Sequence, residues 1–101
     1  GGCLMVEKMP LFLWEAEDAY IVSEGPRAGE RISKEGWRSA GRFEDGLITV
    51  VVKNSWLMKV ERGYGRVDNI TIRPGDILLL PENYGNVTLS GETVISVEEK
   101  I

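Results

Sequence analysis

The chain contains no histidine and a single cysteine, Cys3, among its 101 residues. Without histidine it lacks the commonest general base and the commonest metal ligand. A Ser-His-Asp or Cys-His nucleophilic site cannot be assembled from this chain alone, and a zinc site would have to rest on carboxylates. One cysteine makes no intrachain disulfide, which favours a reducing compartment, and a cytoplasmic location is the expectation. No apolar run approaches the roughly 20 residues of a membrane span. The N-terminal residues lack the basic, apolar and small-residue order of a secretory leader. The Asn69-Ile70-Thr71 and Asn86-Val87-Thr88 glycosylation matches therefore carry little meaning. Gly1 and Gly2 are expected to be a cloning scar and carry no fold argument. Prolines number only four, and no Pro-rich, Ser-rich or low-complexity linker divides the chain, so residues 1–101 are expected to form one β-barrel-like domain.

What is present is β-rich. In Ile70-Thr71-Ile72-Arg73-Pro74-Gly75-Asp76-Ile77-Leu78-Leu79-Leu80-Pro81, a strand, a tight turn and a fully buried strand follow one another. Pro74 presets φ at the second turn position, and Gly75 accepts the positive φ of a type II turn at the third. Asp76 reads as the polar last position of that turn. The apolar run after it is too short for a helix and stops at Pro81. Pro10–Trp14 and Ala19–Val22 are further strand candidates, separated by Glu15–Asp18 of helical or turn character, and Gly25–Gly29 is a turn or loop. Ser33–Trp37 allows at most one short helical turn, because Gly36 and Gly41 count against a longer helix.

Leu47–Lys53 is the strongest strand. Asn54-Ser55 suggests a two-residue turn, with Trp56–Glu61 returning as the partner. Alternation places Ile48, Val50 and Val52 on one face, and Trp56, Met58 and Val60 on one face. With Ile70, Ile72, Leu78 and Leu80 these form the expected core; Leu57 and Leu79 lie on opposite faces and are not counted in it. Asn69–Asp76 is echoed by Asn86–Glu92 with one residue deleted, and both read as strand–turn–strand units. The fold class is all-β: a small barrel or rolled sheet of five to seven mostly antiparallel strands.

Charge is unevenly placed along the chain. Ten bases and six acids lie between Arg27 and Arg73, giving that segment +4, while two bases and ten acids elsewhere give −8, against an overall −4. Aromatics interleave with the central bases: Trp37 before Arg38, Phe43 after Arg42, Tyr64 between Arg62 and Arg66. Cations beside stacking rings hold single-stranded nucleic acid. Trp37 and Phe43 also suit a core, and Tyr64, between two glycines, is expected to be exposed. Arg62-Gly63-Tyr64-Gly65-Arg66-Val67 resembles the RNA-recognition signature and the corresponding strand of cold-shock domains. It departs from both at Arg66, where those families carry a stacking aromatic. The resemblance makes Tyr64 a candidate stacker and Arg62 a candidate phosphate contact; a glycine-rich loop is the alternative. The candidate nucleic-acid-binding set is Arg38, Arg42, Arg62, Tyr64 and Arg66, expected on one face.

Asp18, Glu24, Asp76 and Glu82 would have to converge in a barrel to act as acid and base. No catalytic residue, metal or cofactor is expected. Ile72–Asn86, Ile-Arg-Pro-Gly-Asp-Ile-Leu-Leu-Leu-Pro-Glu-Asn-Tyr-Gly-Asn, resembles a segment of the accessory C-terminal β domain of CRISPR-associated helicases. That resemblance implies a non-catalytic appendage of a nucleic-acid-processing complex and transfers no functional residue. The expected function is a binding module contacting single-stranded nucleic acid or a protein of such a complex. The alternatives are an assembly module using an exposed sheet edge, and a small carboxylate-dependent enzyme.

Overall fold

A computed structural model describes residues Met9–Ile101. Gly1, Gly2 and Cys3, which carried the scar and compartment expectations, lie outside the described residues. Among the described residues there are eight strands and no helix: β1 (Leu11–Glu15), β2 (Ala19–Val22), β3 (Arg31–Ser33), β4 (Trp37–Val52), β5 (Trp56–Val67), β6 (Ile70–Ile72), β7 (Ile77–Leu80) and β8 (Gly85–Lys100). They form one antiparallel sheet in the order β3-β2-β1-β7-β5-β8-β4, with β6 also on β5. The sheet curls into a half-barrel, so the all-β reading holds.

β8 is the spine. It is hydrogen-bonded to β4 along one edge and to β5 along the other. The far edge of β5 is shared by β7 at Trp56–Lys59 and by β6 at Gly65–Val67. The Pro74-Gly75 turn fills the gap between them. Gly75 has φ +89° and donates its N–H to the Val60 carbonyl at 2.9 Å, while the Val60 N–H donates to Asp76 O at 2.9 Å. The Asp76 carboxylate accepts the Arg73 N–H at 2.8 Å. The turn is thus tied to the middle of β5 from both sides.

Both faces of the sheet are covered where β5, β7 and β1 meet. On one face Met58, Ile72, Leu78, Leu80, Val87 and Ile95 belong to the larger core. On the other, Leu13, Tyr20, Val22, Leu57 and Leu79 form a second one. β7 therefore has two buried faces, as its unbroken apolar run implies. Leu57 and Leu79, left outside the expected core, are buried because the curl brings β1, β2 and Trp37 over their face.

Several expectations need correction. β4 and β5 do not pair as a hairpin, because β8 lies between them. Lys53-Asn54-Ser55 lacks the Asn-Gly chemistry of a tight hairpin turn, and the sixteen-residue β8 offers each strand a longer ladder. The Asn69–Asp76 echo yields no hairpins: β6 and β7 both pair with β5, and Asn86–Val97 runs as one strand through Gly91. Pro74 removes a ladder donor at the first site, and nothing does so at the second. Ser33–Trp37 contains no helical turn; Gly36, at φ +84°, bends the chain from β3 into β4. Of the ten expected core residues, Ile48 is 45% exposed, and Val50, Trp56 and Ile70 are half-buried. Ile48 fails because, among the described residues, β4 ends the sheet and has no neighbour beyond it.

Candidate interaction surfaces

Arg62–Val67 belongs to a strand and not to a glycine-rich loop. The glycines serve a close crossing of β5 and β8. A Cβ on Gly63 would stand 2.0 Å from the Glu92 carbonyl oxygen, and one on Gly65 would stand 2.2 Å from that of Ser90. Across from them, a Cβ on Gly91 would lie 2.5 Å from the Gly65 Cα. Backbone meets backbone here, so only glycine fits. Tyr64, held between these contacts, turns outward and is 67% exposed.

Register places the five predicted residues. Arg62, Tyr64 and Arg66 oppose Val94, Glu92 and Ser90 of β8, so they share one face at about 7 Å spacing. Arg42 opposes Ser96 and lies on the same face. Arg38 opposes Glu99, one residue out of phase, and falls on the other face. The single-face expectation is thus corrected for Arg38: Ala40 is an extra residue of β4 at the register shift between Ser39 and Gly41, and such a bulge changes which side chains face together. Arg42 is also neutralised, with Glu61 at 2.9 Å and Glu44 at 3.3 Å. Arg38 lies 3.7 Å from Glu99. Arg62 and Arg66 make no ion pair among the described residues, but Glu92 sits directly opposite Tyr64. The exposed cationic group is reduced to Arg62, Tyr64 and Arg66.

Two of the four candidate carboxylates, Asp18 and Asp76, are already engaged. Asp18 pairs with Arg31 at 2.8 Å, Asp76 caps its turn, and no three metal-ligating side chains come together among the described residues. An apolar cavity of about 550 Å³ lies between Phe12, Pro26, Ile70 and Pro81. Its charged lining is Glu24 and Arg27, and Arg27 is held by Glu30, whose carboxyl that contact lowers.

Two features escaped the sequence reading. The first is a polar knot at the β5–β6 turn. Asp68, at φ +52°, accepts the Tyr84 hydroxyl at 2.6 Å and the Thr88 N–H at 2.9 Å. Burial, and then the bond to Asp68, pushes the Tyr84 phenol well above its ordinary range. Asp68-Asn69, a turn dipeptide between Val67 and the β-branched run Ile70-Thr71-Ile72, was the available signal. The second is the free edge of β4. Its first half carries Arg38, Arg42, Glu44 and Asp45 and both register shifts. Its second half, Gly46–Val52, carries no charge, proline or bulge, and exposes Leu47 (76%) and Val51 (59%). Charges and bulges are the usual protection of a sheet edge; this stretch has neither. Comparison of the chain with protein-family models, with curated proteins and with solved structures returns no match.

Proposed function

We propose that this chain is a non-catalytic assembly module, and that the second half of β4 accepts a strand from a protein partner. The observation that carries the reading is the flat, uncharged tract Gly46–Val52 on a strand that, among the described residues, is paired along only one edge. Strand addition supplies main-chain hydrogen bonds along such an edge, and alternate side chains on both faces supply selectivity. Leu47 and Val51 lie on one face, Ile48 and Val50 on the other, so an added strand finds apolar contacts on both. The resemblance of Ile72–Asn86 to an accessory domain of larger complexes accords with this role.

A peptide with the sequence of residues 45–53, titrated into isotopically labelled protein, tests it. Amide shifts confined to β4 and its flanks are expected. No shift at about 1 mM peptide, the weak end of specific binding, overturns the reading.

A second reading has its own support. The exposed Tyr64 between the unpaired Arg62 and Arg66 suits weak contact with single-stranded nucleic acid. A thymidine oligonucleotide at low salt is then expected to shift β5 amides, with affinity falling as salt rises. Unmoved β5 resonances would remove this reading and leave the first untouched.

A further inference from the structure

We infer that the strand added at β4 is the β4 of a second copy of this chain, paired antiparallel about a two-fold axis at Thr49. The inference rests on the reading of β4 as a docking edge and names its occupant.

The register follows from symmetry and charge. An axis perpendicular to a sheet keeps every side chain on its own face. Opposed residues must then share parity along the strand, and the axis must pass through a residue position. Three registers keep the exposed aliphatic residues together, centred on Ile48, Thr49 or Val50. Centring on Ile48 sets Asp45 against Val51 and Glu44 against Val52. Centring on Val50 sets Lys53 against Leu47. Centring on Thr49 opposes Leu47 with Val51, Ile48 with Val50, and Asp45 with Lys53 of the partner subunit, and the last pair occurs twice. It is the one register of the three in which charge meets opposite charge. Asp45 and Lys53 are both exposed, and neither makes an ion pair among the described residues.

A second observation selects the same centre. The register shift between Glu44 and Gly46 closes the flat tract on one side, and the strand ends at Val52 on the other. Thr49 is the midpoint of Gly46–Val52. Its hydroxyl is already 3.0 Å from that of Thr88, so Thr49 stays on its face without demanding a new partner. On the opposite face, Ile48 and Val50 border a shallow cavity of about 270 Å³ with Phe43 and Trp56. Ile48 of the partner subunit would come beside Val50 there and continue the larger core across the axis.

Such pairing closes on itself. Each copy spends its β4 edge once. What remains among the described residues is the outer edge of β3 and that of β6, each three residues long; β3 begins at Arg31 and is followed by Lys34, which are paired to Asp18 and Glu15. The interface is small beside the roughly 1,200 Å² of a standard specific complex, so a concentration-dependent dimer is expected.

Sedimentation velocity on the full chain between about 10 and 500 µM tests this, a range set by the affinity of small interfaces. A monomer–dimer equilibrium is expected. Lys53→Glu sets like charges at both ends of the ladder and should weaken the dimer about tenfold. Adding Asp45→Lys to it should restore affinity to within about threefold of the original chain. A double variant no better than Lys53→Glu overturns the Thr49 register. Open-ended assemblies in place of a dimer overturn the closed pairing. A chain that stays monomeric throughout overturns the second copy as occupant. In that case the peptide of residues 45–53 separates the two ideas: shifts at β4 leave the docking edge standing without this occupant, and silence removes both.

Discussion

β8 has two flanks, and they treat similar sequence very differently. On one side, Trp56–Val67 of β5 buries Leu57, Met58, Val60 and Val67. On the other, Leu47–Val52 of β4, richer in β-branched residues, leaves Leu47, Ile48 and Val51 exposed. Propensity does not separate the two strands. Neighbours do: β5 is paired along both edges, by β8 on one and by β7 and β6 on the other, whereas among the described residues β4 is paired by β8 alone. The β5 flank is closed to the point that Gly63, Gly65 and Gly91 bring backbone against backbone. The β4 flank ends in open backbone groups. Close backbone packing thus belongs to the inner flank, and the unpaired edge to the outer one.

The largest test of this contrast lies at the crossing. Gly63→Ala should destabilise by at least about 3 kcal/mol, because the new methyl meets a carbonyl oxygen that belongs to a ladder and cannot yield, at a residue already at positive φ. Urea denaturation would measure it. Gly75→Ala is the control. Its φ of +89° carries the same left-handed penalty, but nothing lies within 4 Å of the new methyl. A loss of about 1 kcal/mol is expected there. Equal losses at the two positions would break the distinction between a closed crossing and an open turn.

Leu57→Ala comes next. Leu57 is 1% exposed in the second core, so removing it should cost about 2–5 kcal/mol by lost transfer energy and a residual cavity. Val51→Ala, on the outer flank, should cost under about 0.5 kcal/mol.

The Tyr84–Asp68 knot fastens the outer end of β5 to β8 and gives the next effect. Tyr84→Phe leaves Asp68 with the Thr88 N–H alone, and a loss of about 1–2 kcal/mol is expected at neutral pH. The fold holds the Tyr84 proton above the ordinary tyrosine range. That contribution is fully present below about pH 10, the unfolded value, and is lost as pH rises toward the folded one. Lys59, raised by its contact with Tyr20, loses stability in the same direction. Comparing urea midpoints at about pH 9 and pH 11 should therefore show a steeper alkaline loss in the original chain than in Tyr84→Phe. Parallel slopes would refute the assignment to Tyr84.

The sequence discloses the local pieces better than their partners. The Pro74-Gly75 turn, the doubly buried Ile77–Leu80 strand and the all-β class follow from residues close together in the chain. The neighbours of β4 do not. Leu47–Val52 reads as a central strand because its pattern is that of one; its exposure depends on β8, more than thirty residues downstream, taking the place expected of β5. The expectation that the candidate nucleic-acid set shares one face fails at Arg38 for a related reason. Alternation keeps Arg62, Tyr64 and Arg66 together within one strand. Arg38 and Arg42 are four apart, yet the register shift between Ser39 and Gly41 puts them on opposite faces. A bulge of one residue leaves little trace in composition, and ion pairing of Arg42 with Glu61 joins strands that are not adjacent.

The smallest expected change in stability tests the outer flank directly. Leu47 is 76% exposed at the start of the flat tract, on the face away from the larger core. Leu47→Lys removes almost no buried surface from the single chain, and the new ammonium points into water. The unfolding free energy from urea denaturation should therefore change by less than about 0.5 kcal/mol. Pairing should respond quite differently. Across the proposed axis Leu47 stands opposite Val51, and a lysine there would set two charges into an apolar stretch, one in each copy. Lysine on an edge is a common natural guard against strand addition. The variant should therefore sediment as monomer at concentrations where the original chain dimerises, with an unchanged thermal melt. A dimer that survives Leu47→Lys would place the contact elsewhere. A monomer with a markedly lowered melt would mean that β4 supports the fold more than its open edge indicates.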